Sequence, residues 1–111
     1  MRWATLHERR WPELALLHAV PNGGHRHPAV ASAMKAEGVK RGVPDLDLPV
    51  PRGRWHGLRI EMKAKGGRLA PEQRWWIEKL HEQGYRAVMC VGWEAARDTI
   101  LDYLDTGSLP A

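Results

Sequence analysis

The chain has 111 residues, a length typical of one domain, so we expect a single domain over 1–111. Its 17 Lys and Arg residues outnumber the 13 Asp and Glu residues, and the formal charge of +4 favours an anionic partner. The one cysteine excludes an internal disulfide and a cysteine zinc site, and the short early apolar runs exclude a signal peptide or membrane span, which predicts an intracellular, soluble protein without a membrane partner.

The N-terminal third predicts three short elements. Apolar residues at helical spacing predict a helix over 2–10 that a proline ends or interrupts. Residues 13–20 are mostly apolar and run into the turn sequence Pro21-Asn22-Gly23-Gly24, which predicts either a strand or a short buried helix. The alanine-rich stretch 28–39 has a proline at its start and a glycine near its end, which predicts a helix.

The remaining two thirds predict a hairpin followed by alternating helices and strands. Short strands in 42–49 and 57–63 form the hairpin, and proline and glycine bound a helix over 71–84. A strand over 85–91 and a helix over 93–104 complete the chain. This order predicts an α/β domain around a small mixed sheet.

The hairpin brings acidic side chains together. Side chains alternate along a strand, so Glu61 and Lys63 share a face. A pairing centred near Arg54 brings Asp45 close to Lys63 and Asp47 close to Glu61. Carboxylates a few ångströms apart repel by roughly 4 kcal/mol per pair at an effective dielectric of ~20, so a cation is expected between them. Mg²⁺ or Mn²⁺ suits such a group of hard oxygen ligands.

Basic residues surround the hairpin, where nine of the 17 lie between positions 35 and 68. Asn22 is by default a turn residue, with a substrate contact as the alternative. Arg26 is by default a surface loop residue, with a phosphate contact as the alternative. Trp75 and Trp76 are interpreted as core or interface residues rather than as base-stacking platforms, because their helix needs an apolar face. Trp55 is instead expected at an exposed loop tip, able to touch DNA or a partner. The residues available to contact an anionic partner, such as DNA, are Asn22, Arg26, Lys40, Arg41, Arg52, Arg54, Lys65 and Arg68.

Four motifs in order carry a family resemblance: Pro21-Asn22-Gly23-Gly24, Gly42-Val43-Pro44-Asp45-Leu46, Ile60-Glu61-Met62-Lys63 and Pro71-Glu72-Gln73. Together they resemble the virus-type replication-repair nuclease (VRR-NUC) family of the PD-(D/E)XK restriction-endonuclease-like superfamily. The resemblance implies a restriction-endonuclease-like core with a small mixed sheet flanked by helices. It also implies a metal-dependent, structure-selective DNA endonuclease, acting as a homodimer on branched DNA such as four-way (Holliday) junctions in a bacterial or phage-infected cell.

The same resemblance implies roles for individual residues. Asp45 and Glu61 become metal ligands, with the backbone carbonyl of Met62 available to complete the shell, and Lys63 lies beside the attacking water. Glu8 is the candidate for an acidic residue that the family tends to carry in its first helix. The implied catalytic residues are Asp45, Glu61, Lys63 and Gln73.

Two other classes of function stay open. A basic DNA-binding module with the same fold but no catalysis is one, although the complete Asp, Glu and Lys set argues against it. A small subunit that docks to a protein through its tryptophans is the other. Six tryptophans and the run 14–20 exceed what a small sheet with short helices easily covers, which independently predicts a homodimer.

Overall fold

The computed structural model describes residues 1–21, 29, 32–33 and 36–106. The N-terminal segment holds helix α1 (Arg2–His7), a 3₁₀ helix (Pro12–Leu16) and strand β1 (His18–Ala19). The helix predicted over 2–10 is confirmed in a shorter form. The stretch 13–20, for which a strand or a short helix was predicted, contains one of each.

The helix predicted over 28–39 falls in part outside the described residues. Among those that are described there, Ala29, Ser32, Ala33 and Ala36 are helical, whereas 37–39 are not. Asn22 and Arg26 also lie outside the described residues.

The centre of the fold is a four-stranded mixed sheet in the order β1-β2-β3-β4, with β2 at Leu46–Leu48, β3 at Leu58–Lys63 and β4 at Arg86–Val91. Strands β1, β2 and β3 pair antiparallel, and β3 pairs parallel with β4. Helix α2 (Pro71–Glu82) connects the two parallel strands, and helix α3 (Trp93–Thr106) follows β4. The predicted hairpin and strand-helix-strand unit are therefore confirmed. Within the described residues, no helix is both long enough and apolar enough to cross a membrane.

The core lies where α3 packs on β3 and β4. Leu58 and Ile60 of β3 are buried with Ile100 and Tyr103 of α3. The Tyr103 hydroxyl donates a 2.6 Å hydrogen bond to the carbonyl of Val50, which satisfies a buried polar group. Because side chains alternate along β3, its odd-numbered residues face away from this core and are free to form a polar site.

The register of the β2–β3 hairpin differs by two residues from the predicted one. Asp47 pairs with Arg59, not with Glu61. Extended by two residues, the same register sets Asp45 opposite Glu61 rather than Lys63. Asp47 is instead held in an ion pair, with 3.1 Å between its Oδ1 and Nε of Arg59.

The connecting loop accounts for the shifted register. Arg52 and Trp55 form an isolated bridge around a turn in which Gly53 has φ 53°. Residues 49–51 separate β2 from this bridge, whereas only 56–57 separate the bridge from β3. Two of the three residues on the longer side are prolines, which lack an N–H and cannot continue the ladder.

The loop also buries Trp55, so the expectation of an exposed tip was wrong. Only 8% of Trp55 is exposed. Its ring meets His81 edge-on at 5.5 Å, and the guanidinium of Arg54 lies 4.5 Å from its ring centroid. Trp55 therefore belongs to the core rather than to a surface that contacts DNA or a partner.

Candidate active site

Glu61 is the buried centre of the site. It is 3% exposed, the one buried charged residue among those the structure describes. Its Oε2 accepts a 3.2 Å hydrogen bond from Nε2 of Gln73 and lies 3.8 Å from Nζ of Lys63. Its Oε1 is buried and has no hydrogen-bond donor within the described part of the chain. A buried carboxylate oxygen without a donor is costly, which suggests a ligand atom rather than a structural one.

Asp45 directly precedes β2 and approaches Glu61 from there. Its Oδ2 accepts a 2.7 Å hydrogen bond from the backbone N–H of Met62, and its own carbonyl accepts one from Val20. The N–H and C=O of one strand residue point to the same neighbouring strand. The carbonyl of Met62 is therefore directed toward the edge of β3 at which Asp45 lies, as a third oxygen beside the two carboxylates.

Gln73 is oriented by the beginning of α2. Its Oε1 accepts a 2.8 Å hydrogen bond from the N–H of Ala70, in the manner of a capping box. That bond leaves the amide Nε2 to donate to Glu61. The helix cap and the active site therefore depend on the same side chain.

A close contact joins α2 to the loop that carries Asp45. Gly42 has φ +87°, and a Cβ there would lie 2.7 Å from the backbone carbon of Glu72. The indole N–H of Trp76 donates a 3.1 Å hydrogen bond to the carbonyl of Arg41. The sequence pattern around Gly42 and Asp45 is thus explained in part by packing, because only glycine lets the loop approach the helix this closely.

Burial and charge make Glu61 difficult to ionise. The pKa of Glu61 is raised from its ordinary 4.5 to about 7, chiefly by burial and also by a hydrogen bond with Asp45 and by repulsion from it, while the ammonium of Lys63 opposes the rise. A divalent cation would relieve this repulsion. The donor set fits Mg²⁺ or Mn²⁺, since it consists of two carboxylates and a carbonyl, all hard oxygen donors.

The structure does not bring Glu8 to this site. No three His, Cys, Asp or Glu side chains within 1–21, 29, 32–33 and 36–106 form a group able to hold a metal ion. Glu8, which caps the C-terminal end of α1, therefore does not join Asp45 and Glu61. A cation held by these two acids would keep open positions for water or phosphate, as Mg²⁺ commonly does.

Comparison with known proteins identifies the family. The family model of the VRR-NUC domain matches residues 3–94. The chain belongs to the VRR-NUC domain family. A solved structure named "VRR_NUC domain protein" shares 30% sequence identity with it, superposes with a TM-score of 0.71, and is matched over 94% of this chain and 87% of that one. A search of curated proteins gives no match. Membership of this family implies that the chain has a nuclease-family function.

The basic residues predicted to contact DNA differ in exposure in this VRR-NUC domain. Arg54 stacks on Trp55 yet stays exposed, whereas Arg52 is held inside the chain by Glu13 and by a 3.2 Å hydrogen bond to the carbonyl of Leu104. The guanidinium of Arg52 therefore ties the hairpin loop to the 3₁₀ helix and α3. The exposed members are Lys40, Arg41, Arg54, Lys65 and Arg68.

The raised pKa of Glu61 predicts how stability depends on pH in the metal-free VRR-NUC domain. Between about pH 4.5 and pH 7 the folded state binds more protons than the unfolded state, so the contribution of Glu61 to the free energy of unfolding is present below that window and is lost as pH rises through it. The free energy of unfolding falls by about 3 kcal/mol over this window. Urea unfolding in EDTA at pH 5 and pH 8 measures it.

Glu61→Gln provides the control, because its amide does not titrate. The difference between wild type and Glu61→Gln isolates this residue from all other titrating groups. An equal pH dependence in the two proteins would contradict the assigned burial and repulsion at Glu61.

Proposed function

We propose that this protein is a Mg²⁺- or Mn²⁺-dependent endodeoxyribonuclease with a PD-(D/E)XK core, hydrolysing phosphodiester bonds in branched DNA such as four-way junctions. The observation that supports the chemistry most strongly is the burial of Glu61 beside Asp45, with Lys63 and Gln73 at its other oxygen. The family supports nuclease activity. The branched substrate is what the resemblance of the four motifs implies.

Each side chain has a distinct task in this proposal. Asp45, Glu61 and the Met62 carbonyl would hold the cation, which supplies Lewis acidity and a water for attack on phosphorus when it is bound. Lys63, tethered to Glu61, offers an ammonium that neutralises charge developing on the phosphoryl oxygens. Gln73 keeps the Glu61 carboxylate in place through one oxygen and leaves the other for the cation.

One assay separates this function from its alternatives. Labelled four-way junction, forked duplex, linear duplex and single-stranded DNA are incubated with the protein in Mg²⁺, Mn²⁺ or EDTA. Metal-dependent cleavage that favours the branched substrates is expected, and Glu61→Gln serves as the inactive control. Binding without cleavage would indicate a catalytically inactive DNA-binding module. The absence of both binding and cleavage would indicate a protein-docking subunit.

Binding to duplex DNA is expected to weaken steeply with salt. Each phosphate contact adds roughly 0.9 to the log–log slope, so replacing one contacting residue, as in Lys65→Ala, lowers the slope by about that amount. Anisotropy titrations of Glu61→Gln in EDTA measure the slope without cleavage. A flat salt dependence would contradict DNA as the partner. The proposed contacts are Lys40, Arg41, Arg54, Lys65 and Arg68.

The working species is expected to be a homodimer, because paired cuts in a junction need two active sites. The N-terminal segment exposes Leu6 and Leu16, which suit an interface between copies. Sedimentation at micromolar concentration should give about twice the 12.6 kDa chain mass, and Leu6→Glu should lower it. A monomer that still cuts junctions would contradict the dimer. We expect the protein to act on DNA in the cytoplasm of a bacterial or phage-infected cell.

A further inference from the structure

An open pocket lies beside the candidate active site, between the loop at 40–42 and the first two turns of α2. Its volume is about 540 Å³, which is within the range of sites that bind small molecules or single nucleotides. We call it the Trp75 pocket. Its lining residues are Lys40, Arg41, Pro71, Glu72, Trp75 and Trp76.

The two tryptophans give the pocket one fixed wall and one exposed aromatic face. The Trp76 ring is held by its hydrogen bond to the carbonyl of Arg41. Trp75 lies nearly perpendicular to it, with 5.7 Å between ring centroids, and is 53% exposed. Trp75 was interpreted from the sequence as a core or interface residue, and its exposure excludes the core. An exposed indole has a face on which any nucleobase stacks.

The charges around the pocket fit a nucleotide better than a bare anion. Lys40 and Arg41 are exposed at its rim, and no ion pair within the described part of the chain uses either of them. They suit a backbone phosphate. Glu72 also lines the pocket and repels an anion, but its carboxylate can accept a hydrogen bond from the exocyclic amino group of a base.

The pocket and the active site share the beginning of α2. Gln73, the residue after Glu72, turns to the other side of the helix and donates to Glu61. A helix with its side chains is roughly 10–12 Å across, so the pocket and Glu61 lie about that far apart on the two sides of α2. A DNA strand that reaches Glu61 can therefore place a neighbouring nucleotide in the pocket.

We infer that the Trp75 pocket binds an unpaired nucleobase of the DNA strand that passes the active site. The inference rests on the proposed function and gives it a physical basis for selecting branched DNA that carries a single-stranded arm. In an intact duplex every base is stacked and paired, and reaching the pocket would require flipping the base out at a cost of a few kcal/mol. A single-stranded arm at a fork avoids that cost, whereas the paired arms of a four-way junction do not.

The test compares two exposed tryptophans on two DNA probes. Trp75→Ala is matched by Trp93→Ala, since Trp93 is 54% exposed and lies on α3 outside the pocket. Anisotropy in EDTA measures affinity for a blunt duplex and for the same duplex with a single-stranded arm. Trp75→Ala is expected to weaken binding of the armed probe by about 5- to 150-fold. Trp93→Ala should leave both probes unchanged.

Two further variants strengthen the test. Trp75→Phe keeps an aromatic face and should retain most of the preference for the armed probe. Lys40→Gln removes charge from the rim without touching the indoles, and should weaken binding of the armed probe more than that of the blunt duplex. Melting curves check that each variant is folded.

Several outcomes would overturn the pocket. The first is that Trp75→Ala weakens binding of both probes equally, and the second is that Trp93→Ala weakens binding of the armed probe as much as Trp75→Ala does. The third is that Trp75→Ala lowers the sedimenting mass without changing the preference for the armed probe, which would show that Trp75 forms a contact between copies. If the wild type cleaves branched DNA but Trp75→Ala does not change binding, the proposed nucleobase site is contradicted and the proposed nuclease activity is not. If the wild type cleaves no DNA but prefers the armed probe in a way that depends on Trp75, the nuclease activity is contradicted and the nucleobase site is not.

Discussion

Asp45→Asn and Glu61→Gln are each expected to reduce cleavage of branched DNA by a factor on the order of 10³ or more, while the protein stays folded and binds DNA. Both changes remove a negative charge that the cation needs and hardly alter side-chain volume. Glu61→Gln also removes the repulsion between the buried Glu61 carboxylate and Asp45, so it should not destabilise the metal-free protein at pH 8. Cleavage rates in Mg²⁺ and Mn²⁺, with melting curves in EDTA, measure these effects.

Asp47→Asn is the matched control, because Asp47 lies in the same hairpin only two residues from Asp45. Its carboxylate pairs with Arg59 and lies 3.6 Å from His18, outside the site. Cleavage by Asp47→Asn should be close to normal. Loss of activity there, or near-normal rates for Asp45→Asn or Glu61→Gln, would contradict the site.

Lys63→Ala separates cation binding from charge neutralisation. It should be inactive, yet calorimetry should still detect Mn²⁺ binding, because both carboxylates remain. Asp45→Asn should lose most of that binding. Unchanged Mn²⁺ binding by Asp45→Asn would contradict the assignment of Asp45 as a ligand.

Gly42→Ala is expected to lower the free energy of unfolding by roughly 2–5 kcal/mol and cleavage by at least about tenfold. Part of the loss comes from a left-handed backbone, which costs about 1–2 kcal/mol without glycine. The rest comes from the new Cβ, which would meet the backbone of Glu72 at 2.7 Å and push the beginning of α2 away. Because Gln73 follows Glu72, its hydrogen bond to Glu61 should be lost with that shift.

Gly66→Ala separates these two contributions. Gly66 has nearly the same backbone angle, φ +85°, but a Cβ there meets nothing within 4 Å. It should therefore show only the backbone cost and near-normal cleavage. Urea unfolding and cleavage rates of both variants measure the difference. Equal losses in the two variants would contradict the claim that the contact between Gly42 and α2 supports the site.

Local sequence signals were sufficient for most elements and for the central pair of site residues. Pro71 and Gly84 bound α2, and the alternation of β3 correctly sets Glu61 and Lys63 on one face, where their charged atoms lie 3.8 Å apart. These features depend on residues close in the chain, whose spacing the sequence shows directly.

Features that depend on distant residues were missed. The hairpin register follows from a loop whose prolines interrupt the ladder on one side only, so an assumed symmetric turn placed Asp47 where Asp45 lies. Burial of Trp55 requires His81, a residue of α2 that the sequence does not identify as a neighbour. The two hydrogen bonds of Gln73 likewise link elements whose packing is set only by the complete fold.

The hydrogen bond from the Met62 amide to the Asp45 carboxylate extends the β2–β3 hydrogen-bond ladder by one bond, in which the acceptor is a side chain. The strand pairing ends at Leu46 and Ile60, and beyond that point the carboxylate takes the place of a backbone carbonyl. Opening of this end of the hairpin therefore also breaks the hydrogen bond that holds the Asp45 carboxylate. Exchange of the Met62 amide proton with solvent deuterium consequently measures this opening, and it should become slower when a cation binds Asp45, even without DNA.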